Sequence, residues 1–389
     1  MTLDKEGEST GMKKETICVH SGTRRDSVTG GVNTPIYTSS SYEYLDRGEC
    51  VYPRYFNTPN QEAVVAKLCE LEGAEGGILF SSGMAAISSS VMAFATSGDH
   101  VVLLDELYGG THAFATGMFD RLGIDHTFTA TDADAIEAAI TPKTRVIVIE
   151  SPTNPLLGIL DIERIAGIAR ERGVITIIDN TFATPINQTP LGLGIDIVVH
   201  SGTKYIGGHS DICCGAALTA NSEHADAIRA VARNLGGSLN GMTCYLIERS
   251  LKTLALRVER QSENAMKIAE FLSGRSDIPR VNYPGLPDFP GHEIARSQMG
   301  AFGGMLSFEL ADGVVPEEFL KRLELMCPAV SLGGVETILC APAQTSHVKM
   351  SPAERRRVGI SDSLLRLSVG VEHIDDLVYD LDRALQHGK

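Results

Sequence analysis

The sequence predicts an α/β protein with a doubly wound, mostly parallel sheet, and three observations carry the prediction. Short apolar runs rich in β-branched residues alternate with stretches of helical periodicity. The runs are continuous rather than alternating, as strands are when helices cover both faces of a sheet. Small and polar residues gather just past their ends, at the edge where open α/β sheets hold ligands.

Residues 1–60 hold Gly, Ser, Thr and Pro with little periodicity and read as an extended arm lying across something else. Over 61–72 the apolar positions Val64, Val65, Leu68 and Leu71 fall at helical spacing, and Gly73 supplies a stop. Strands follow at 77–80, 101–104, 145–149, 174–178 and 195–200, with helices at 84–95, 111–122 and 162–172 between them. A helical stretch, 244–272, closes this part and leads into a smaller α+β part with strands at 304–310 and 364–369. The expected division is an arm (1–60), a large ligand-binding domain (61–250) and a C-terminal domain (251–389).

Composition narrows the function. A chain of 389 residues, 43% hydrophobic, exceeds the size at which one core stops growing. Its 34 Lys and Arg against 49 Asp and Glu give a net charge of −15, the wrong sign for gripping nucleic acid. No apolar run reaches the roughly 18 residues of a membrane span, and residues 1–11 are polar, unlike a signal peptide, so a cytoplasmic protein without membrane or nucleic-acid partners is expected. The eight cysteines show no C-x-x-C spacing and read as reduced, buried thiols; the eleven histidines show no H-E-x-x-H, and no metal is expected.

Ser201-Gly202-Thr203-Lys204-Tyr205-Ile206-Gly207-Gly208-His209 follows the 195–200 strand. Alone, Lys204 reads equally as a solvated loop lysine or a ligand-site lysine. Three other strand ends bear on the choice. Ser81-Ser82-Gly83-Met84-Ala85 opens a helix whose free N–H groups suit a phosphate, although an ordinary Ser82 cap explains it as well. Asp179 ends an apolar strand and needs either a cationic partner or a capping role. Leu107-Tyr108-Gly109-Gly110 places a phenol at a further junction. Pyridoxal 5'-phosphate (PLP) needs these parts together: a lysine for covalent attachment, a carboxylate for the pyridine nitrogen, a ring to stack and a phosphate nest. A dinucleotide fingerprint fails, because Ile197 fills the third glycine position after Gly192 and Gly194.

Six motifs then extend the pattern: Ser82-Gly83-Met84-Ala85-Ala86, Glu150-Ser151-Pro152-Thr153-Asn154-Pro155, Asp179-Asn180-Thr181-Phe182-Ala183-Thr184-Pro185, the Ser201 to His209 stretch, Ser331-Leu332-Gly333-Gly334-Val335-Glu336, and Arg366-Leu367-Ser368-Val369-Gly370-Val371-Glu372. With these the sequence, over residues 16–385, resembles the Cys/Met-metabolism family of PLP enzymes, which includes cystathionine γ-synthases, γ-lyases and β-lyases, methionine γ-lyases and O-acylhomoserine sulfhydrylases. The resemblance implies the fold-type I (aspartate aminotransferase-like) architecture and γ-elimination or γ-replacement on a sulfur amino acid or an O-acylhomoserine. It implies Lys204 as the covalent anchor, Asp179 as partner of the ring nitrogen, and Tyr108 as stacking ring and proton donor. Ser82, Gly83, Met84, Ser201 and Thr203 match the phosphate site. Arg366 matches the arginine for the substrate α-carboxylate, with Asn154 and Ser331 as helpers. Tyr52 and Arg54 match an arm motif that reaches the phosphate of a neighbouring subunit, so a homo-oligomer is implied: dimers sharing active sites, paired into a tetramer.

Departures bear on the reaction. Tyr55-Phe56-Asn57-Thr58-Pro59-Asn60 replaces a shorter turn of the family. Gly110 stands where methionine γ-lyases carry cysteine, and Val330 where many cystathionine enzymes carry glutamate. The first choice is the cystathionine γ-synthase and γ-lyase group; the alternatives are a methionine or homocysteine γ-lyase, an O-acylhomoserine sulfhydrylase, or a non-catalytic relative, which has no need of Lys204, Asp179, Tyr108 and Arg366 together. Arg355-Arg356-Arg357 is expected on a solvated helix face, Tyr205 and His209 as residues that shape the loop, and Cys213-Cys214 in the core.

Overall fold

The larger sheet has at its centre β-branched and leucine runs buried on both faces, with a small-residue strand and a polar edge strand completing it. They are β1 (Gly76–Phe80), β2 (His100–Leu104), β3 (Asp125–Thr129), β4 (Thr144–Glu150), β5 (Ile175–Asp179), β6 (Ile197–Ser201) and β7 (Gly215–Thr219), in the order β1-β7-β6-β5-β4-β2-β3. The computed structural model describes residues 11–345, 348 and 351–386. Strands β2 to β6 are parallel, and β7 is antiparallel to both its neighbours, β1 and β6. The mostly parallel α/β sheet is thus as expected.

The first ten helices are α1 (Lys14–His20), α2 (Pro59–Glu72), α3 (Gly83–Phe94), α4 (Gly109–Leu122), α5 (Ala133–Ala139), α6 (Ile162–Glu171), α7 (Thr184–Asn187), α8 (Ser222–Leu235), α9 (Gly241–Leu251) and α10 (Leu254–Ser273). Periodicity missed β3, α5 and α8, whose buried face of Ala225, Ile228 and Ala232 is mostly alanine. β3 pairs only with β2, so its Asp-His-Thr-Phe-Thr sequence is free to be polar, and α5 is too short to show a stripe. The 244–272 stretch is two helices, α9 and α10. Helix α2 starts two residues before the expected 61, in a Thr58/Gln61 capping box.

The arm is not wholly extended. In α1, Ile17 and Cys18 are buried in the cluster that also holds Val64 and Leu68 of α2 and Leu254 and Val258 of α10. Beyond α1 the arm leaves Val28, Val32, Tyr44 and Leu45 exposed.

A second sheet holds β8 (Arg280–Asn282), β9 (Met305–Glu309), β10 (Cys327–Pro328), β11 (Ile338–Cys340) and β12 (Leu364–Ser368), in the order β10-β11-β12-β9-β8. Only β10 and β11 are parallel. Ile268 and Leu272 of α10 pack with Leu306, Leu365 and Leu367 of this sheet and with Leu377 and Leu381 of the C-terminal helix Ile374–Gln386. Each such side chain stabilises by about 1.5–3 kcal/mol on burial.

Two expectations are corrected. Arg355 is buried and bonds Asp362 at 2.8 Å, so its run is not simply a solvated face. Of the eight free cysteines, Cys50, Cys213 and Cys327 are exposed and Cys69 is half-buried; the expectation of buried thiols holds for Cys18, Cys214, Cys244 and Cys340. Among the described residues no helix is long and apolar enough to cross a membrane.

Candidate active site

The carboxyl ends of β1, β2, β4, β5 and β6 open on one cavity of about 470 Å³, and each delivers a side chain or N–H group to it. Its lining includes Ser82, Gly83, Met84, Tyr108, Glu150, Asn154, Asp179, Ser201, Thr203, Lys204, Ser331 and Arg366. Eleven expected positions are thereby brought together, with Glu150 added to them.

The end expected to take a phosphate forms where β1 turns into α3. Ser82 accepts the Ala85 N–H at 3.1 Å as the helix cap, and the Gly83 and Met84 N–H groups belong to the first turn, which has no intrahelical acceptors. Gly83 lets that turn press on β6, for a Cβ there would come within 2.8 Å of Ser201 Cβ. Thr203 exchanges bonds with the Cys214 backbone, accepting from its N–H at 3.1 Å and donating to its carbonyl at 3.2 Å. The Thr203 hydroxyl also donates to Cys213 Sγ at 3.5 Å, and this thiol, expected in the core, lines the cavity instead.

Asp179 accepts the Thr181 N–H at 3.0 Å and the Thr181 hydroxyl, both on Oδ1. The capping role expected as the alternative for Asp179 therefore occupies one oxygen and leaves the other open to a ligand. Burial raises this carboxyl's pKa, while the Thr181 bonds and the nearby His200 and Lys204 favour the ionised form.

Lys204 lies in the turn after β6, and its Nζ donates to Ser331 Oγ at 2.7 Å. Burial, reinforced by the Arg366 guanidinium, holds its pKa below the usual lysine value, which suits a base. Ser331 sits at φ +85°, a left-handed conformation rare for residues with a side chain. Its carbonyl accepts Arg366 Nη2 at 3.0 Å, and Arg366 Nη1 donates to Asn154 Oδ1 at 2.9 Å. The guanidinium, buried on β12, is thus oriented with N–H groups to spare for a carboxylate.

Helix α10 fixes these parts against each other. Arg257 donates to Tyr205 O at 2.7 Å and Gln261 to Gly334 O at 2.6 Å. Gly333, at φ +76°, permits the contact, since a Cβ would lie 2.6 Å from Tyr205 N. Tyr205 is buried, and His209 bonds Gly207 O at 2.8 Å and Ser250 Oγ at 3.1 Å.

Tyr108, about half exposed, begins α4 at the cavity rim. Gly110 lies under this ring: a Cβ there would meet Tyr108 Cε1 at 2.5 Å and Met84 Sδ at 2.9 Å, so a larger residue would shift both side chains. Tyr52 and Arg54 are not among the residues lining this cavity. Arg54 donates to Arg233 O at 2.7 Å and lies over the Tyr52 and Tyr55 rings. Val330 is exposed at the cavity. Glu150 escaped sequence reasoning as a site residue, although the carboxylate ending an apolar strand is the signal that marked Asp179.

These residues fit the parts PLP requires: first-turn N–H groups beside Ser201, a carboxylate with a free oxygen, a ring at the rim and a half-buried lysine. Comparison with known proteins agrees. The family profile described as "Cys/Met metabolism PLP-dependent enzyme" matches residues 15–386. A cystathionine γ-lyase of Bacillus subtilis is 44% identical, covering 97% of this chain and 100% of that relative. A cystathionine γ-synthase of Mycobacterium bovis is 43% identical over 99% of this chain and 100% of its own length. The crystal structure of cystathionine γ-lyase from Lactobacillus plantarum complexed with L-serine superposes with a TM-score of 0.94 at 40% identity, covering 97% of this chain and 99% of that one.

Proposed function

The chain belongs to the Cys/Met metabolism family of PLP-dependent enzymes, and from that premise we propose that it removes or replaces the γ-substituent of an amino acid, with cystathionine as substrate or product. The observation that supports the reading is the chain of bonds from Lys204 through Ser331 to Arg366 and Asn154, which brings an amine together with a guanidinium that has N–H groups to spare.

Asp179 would hold the ring nitrogen, the start of α3 with Ser201 and Thr203 the phosphate, and Tyr108 the ring face. Bound there, the cofactor supplies an electron-withdrawing ring that acidifies the substrate's α and β carbons. Arg366 binds the substrate α-carboxylate and so aims Cα at Lys204. Lys204 Nζ takes the α-proton, its lowered pKa making the free base accessible nearer neutral pH. Ser331 Oγ orients that nitrogen; a second proton then leaves Cβ, its electron pair expels the γ-substituent, and the Tyr108 hydroxyl delivers a proton to the departing sulfur or oxygen. Within one subunit Tyr52 and Arg54 are outside the cavity lining, so we assign them to the phosphate site of a neighbouring subunit, in a cytoplasmic homo-oligomer. The division at 60 and 250 belongs to the same proposal.

Val330 favours a second reading, a methionine or homocysteine γ-lyase, because an apolar side chain at the cavity suits a thioether end better than the charged distal end of cystathionine. A product assay with O-succinylhomoserine, O-acetylhomoserine, cystathionine and methionine, each with and without cysteine, decides. Cystathionine made from an O-acylhomoserine with cysteine, or cysteine and a 2-oxo acid released from cystathionine, is the expected result. Turnover of methionine alone would overturn it.

A further inference from the structure

Glu150 closes β4 beside Asp179, its register partner on β5, and is almost fully buried. It has no part in the chemistry described above. Its one bond to the rim is specific: Oε2 accepts the Tyr108 N–H at 2.9 Å. Tyr108 is the N-cap of α4 and its own side chain makes no capping bond, while its N–H is held by the Glu150 carboxyl, so Glu150 anchors the backbone from which the ring and phenol extend.

The surroundings disfavour a charge on this anchor. Facing it are Asp179 from β5, Glu106 from the loop after β2, Arg366 from β12, and the Tyr108 backbone. Glu106 is itself bonded by the Thr153 hydroxyl at 2.9 Å and has Asp105 beside it. The Arg366 guanidinium is engaged by Asn154 and Ser331. Burial, and then the Asp179 carboxylate, push the Glu150 carboxyl well above its ordinary range, whereas Asp179 keeps its Thr181 donors. With Oε2 accepting the N–H, Oε1 is the oxygen left to carry a proton.

We propose that Glu150 is a positioning residue which, as a neutral carboxylic acid, fixes Tyr108 over the cavity without setting a second negative charge beside Asp179. A single anion at the cavity floor then answers the ring nitrogen, and Tyr108 is held by an acceptor that does not compete for it. The inference rests on the proposed reading of the cavity, but two of its readouts need no turnover.

The experiment compares wild type, Glu150→Gln and Glu150→Ala, with and without cofactor. A glutamine is neutral, similar in size and able to accept the Tyr108 N–H. Its kcat and pH profile should stay within about twofold of wild type, whereas Glu150→Ala should lose about 10²-fold in kcat with little change in KM, the scale of a misplaced reacting group. Infrared spectra should show a carboxylic-acid C=O stretch at neutral pH that Glu150→Gln lacks. A carboxyl protonated in the fold and free to ionise when unfolded makes the unfolded state bind fewer protons above the ordinary value of 4.5, so wild type loses stability as pH rises from there. The melting-temperature advantage of Glu150→Gln should therefore grow as pH rises from that value. The proposal falls if the acid band is absent, if that advantage is flat with pH, if glutamine costs as much activity as alanine, or if alanine costs none. Failure of the γ-substituent reading alone would show as an inactive wild type with the infrared and stability signatures intact.

Discussion

Asp179 and Arg366 face one cavity, yet Asp179 is held by Thr181, two residues on, while Arg366 is held by Asn154, 212 residues earlier in the chain, and by a carbonyl at strained Ser331. The proposed cofactor end of the site is a local construction repeated at strand ends: a strand stops, small residues turn, and N–H groups or a carboxylate are left facing out. The proposed substrate end exists only where the second sheet meets the first. Changes at the first end should therefore disturb cofactor attachment, and changes at the second should disturb substrate binding while the cofactor stays.

The largest effect tests the cofactor end. Lys204→Ala should lower kcat by about 10³-fold or more and remove the visible absorption of the covalently bound cofactor. Mixed with Arg54→Ala protein it should recover part of the activity, because each variant supplies what the other lacks; no recovery after verified subunit exchange would sink the shared site. Next comes Arg366→Ala, expected to reduce kcat/KM by about 10²-fold, mainly through KM, with unchanged cofactor absorption, since it leaves a substrate carboxylate without its buried partner. If absorption is lost as well, the two ends are not separable.

Ser331→Ala and Ser331→Gly both delete the hydroxyl that meets Lys204 and should each lower kcat by about tenfold, an amount typical of one hydrogen bond. Calorimetry should show glycine to be the more stable of the two by about 1 kcal/mol, because it accepts φ +85° without steric conflict. Equal melting temperatures would mean that the strain is relieved elsewhere. The smallest effect is at Val330: glutamate there should raise the preference for cystathionine over methionine by about fivefold or less, since an exposed charge is well solvated. Measured ratios of kcat/KM decide it.

Strands β1, β2, β4, β5 and β6 were legible in the chain because a strand buried on both faces must be apolar along its length, and their ends marked Ser82, Tyr108, Asp179 and Lys204 through turn chemistry that acts within a few residues. The polar edge strand β3 and the short α5 left no such mark. Nor did Glu150, whose meaning depends on Asp179 lying across from it, nor Cys213, which sits beside the cavity although its neighbour Cys214 is core. Arg366, Asn154 and Ser331 could be named only by likeness to a family. Their bonds join segments 35 to 212 residues apart, and local preference carries no information over such separations. Folding both sheets against α10 decides which donor meets which acceptor, because only the packed interior excludes the water that would otherwise satisfy each group separately.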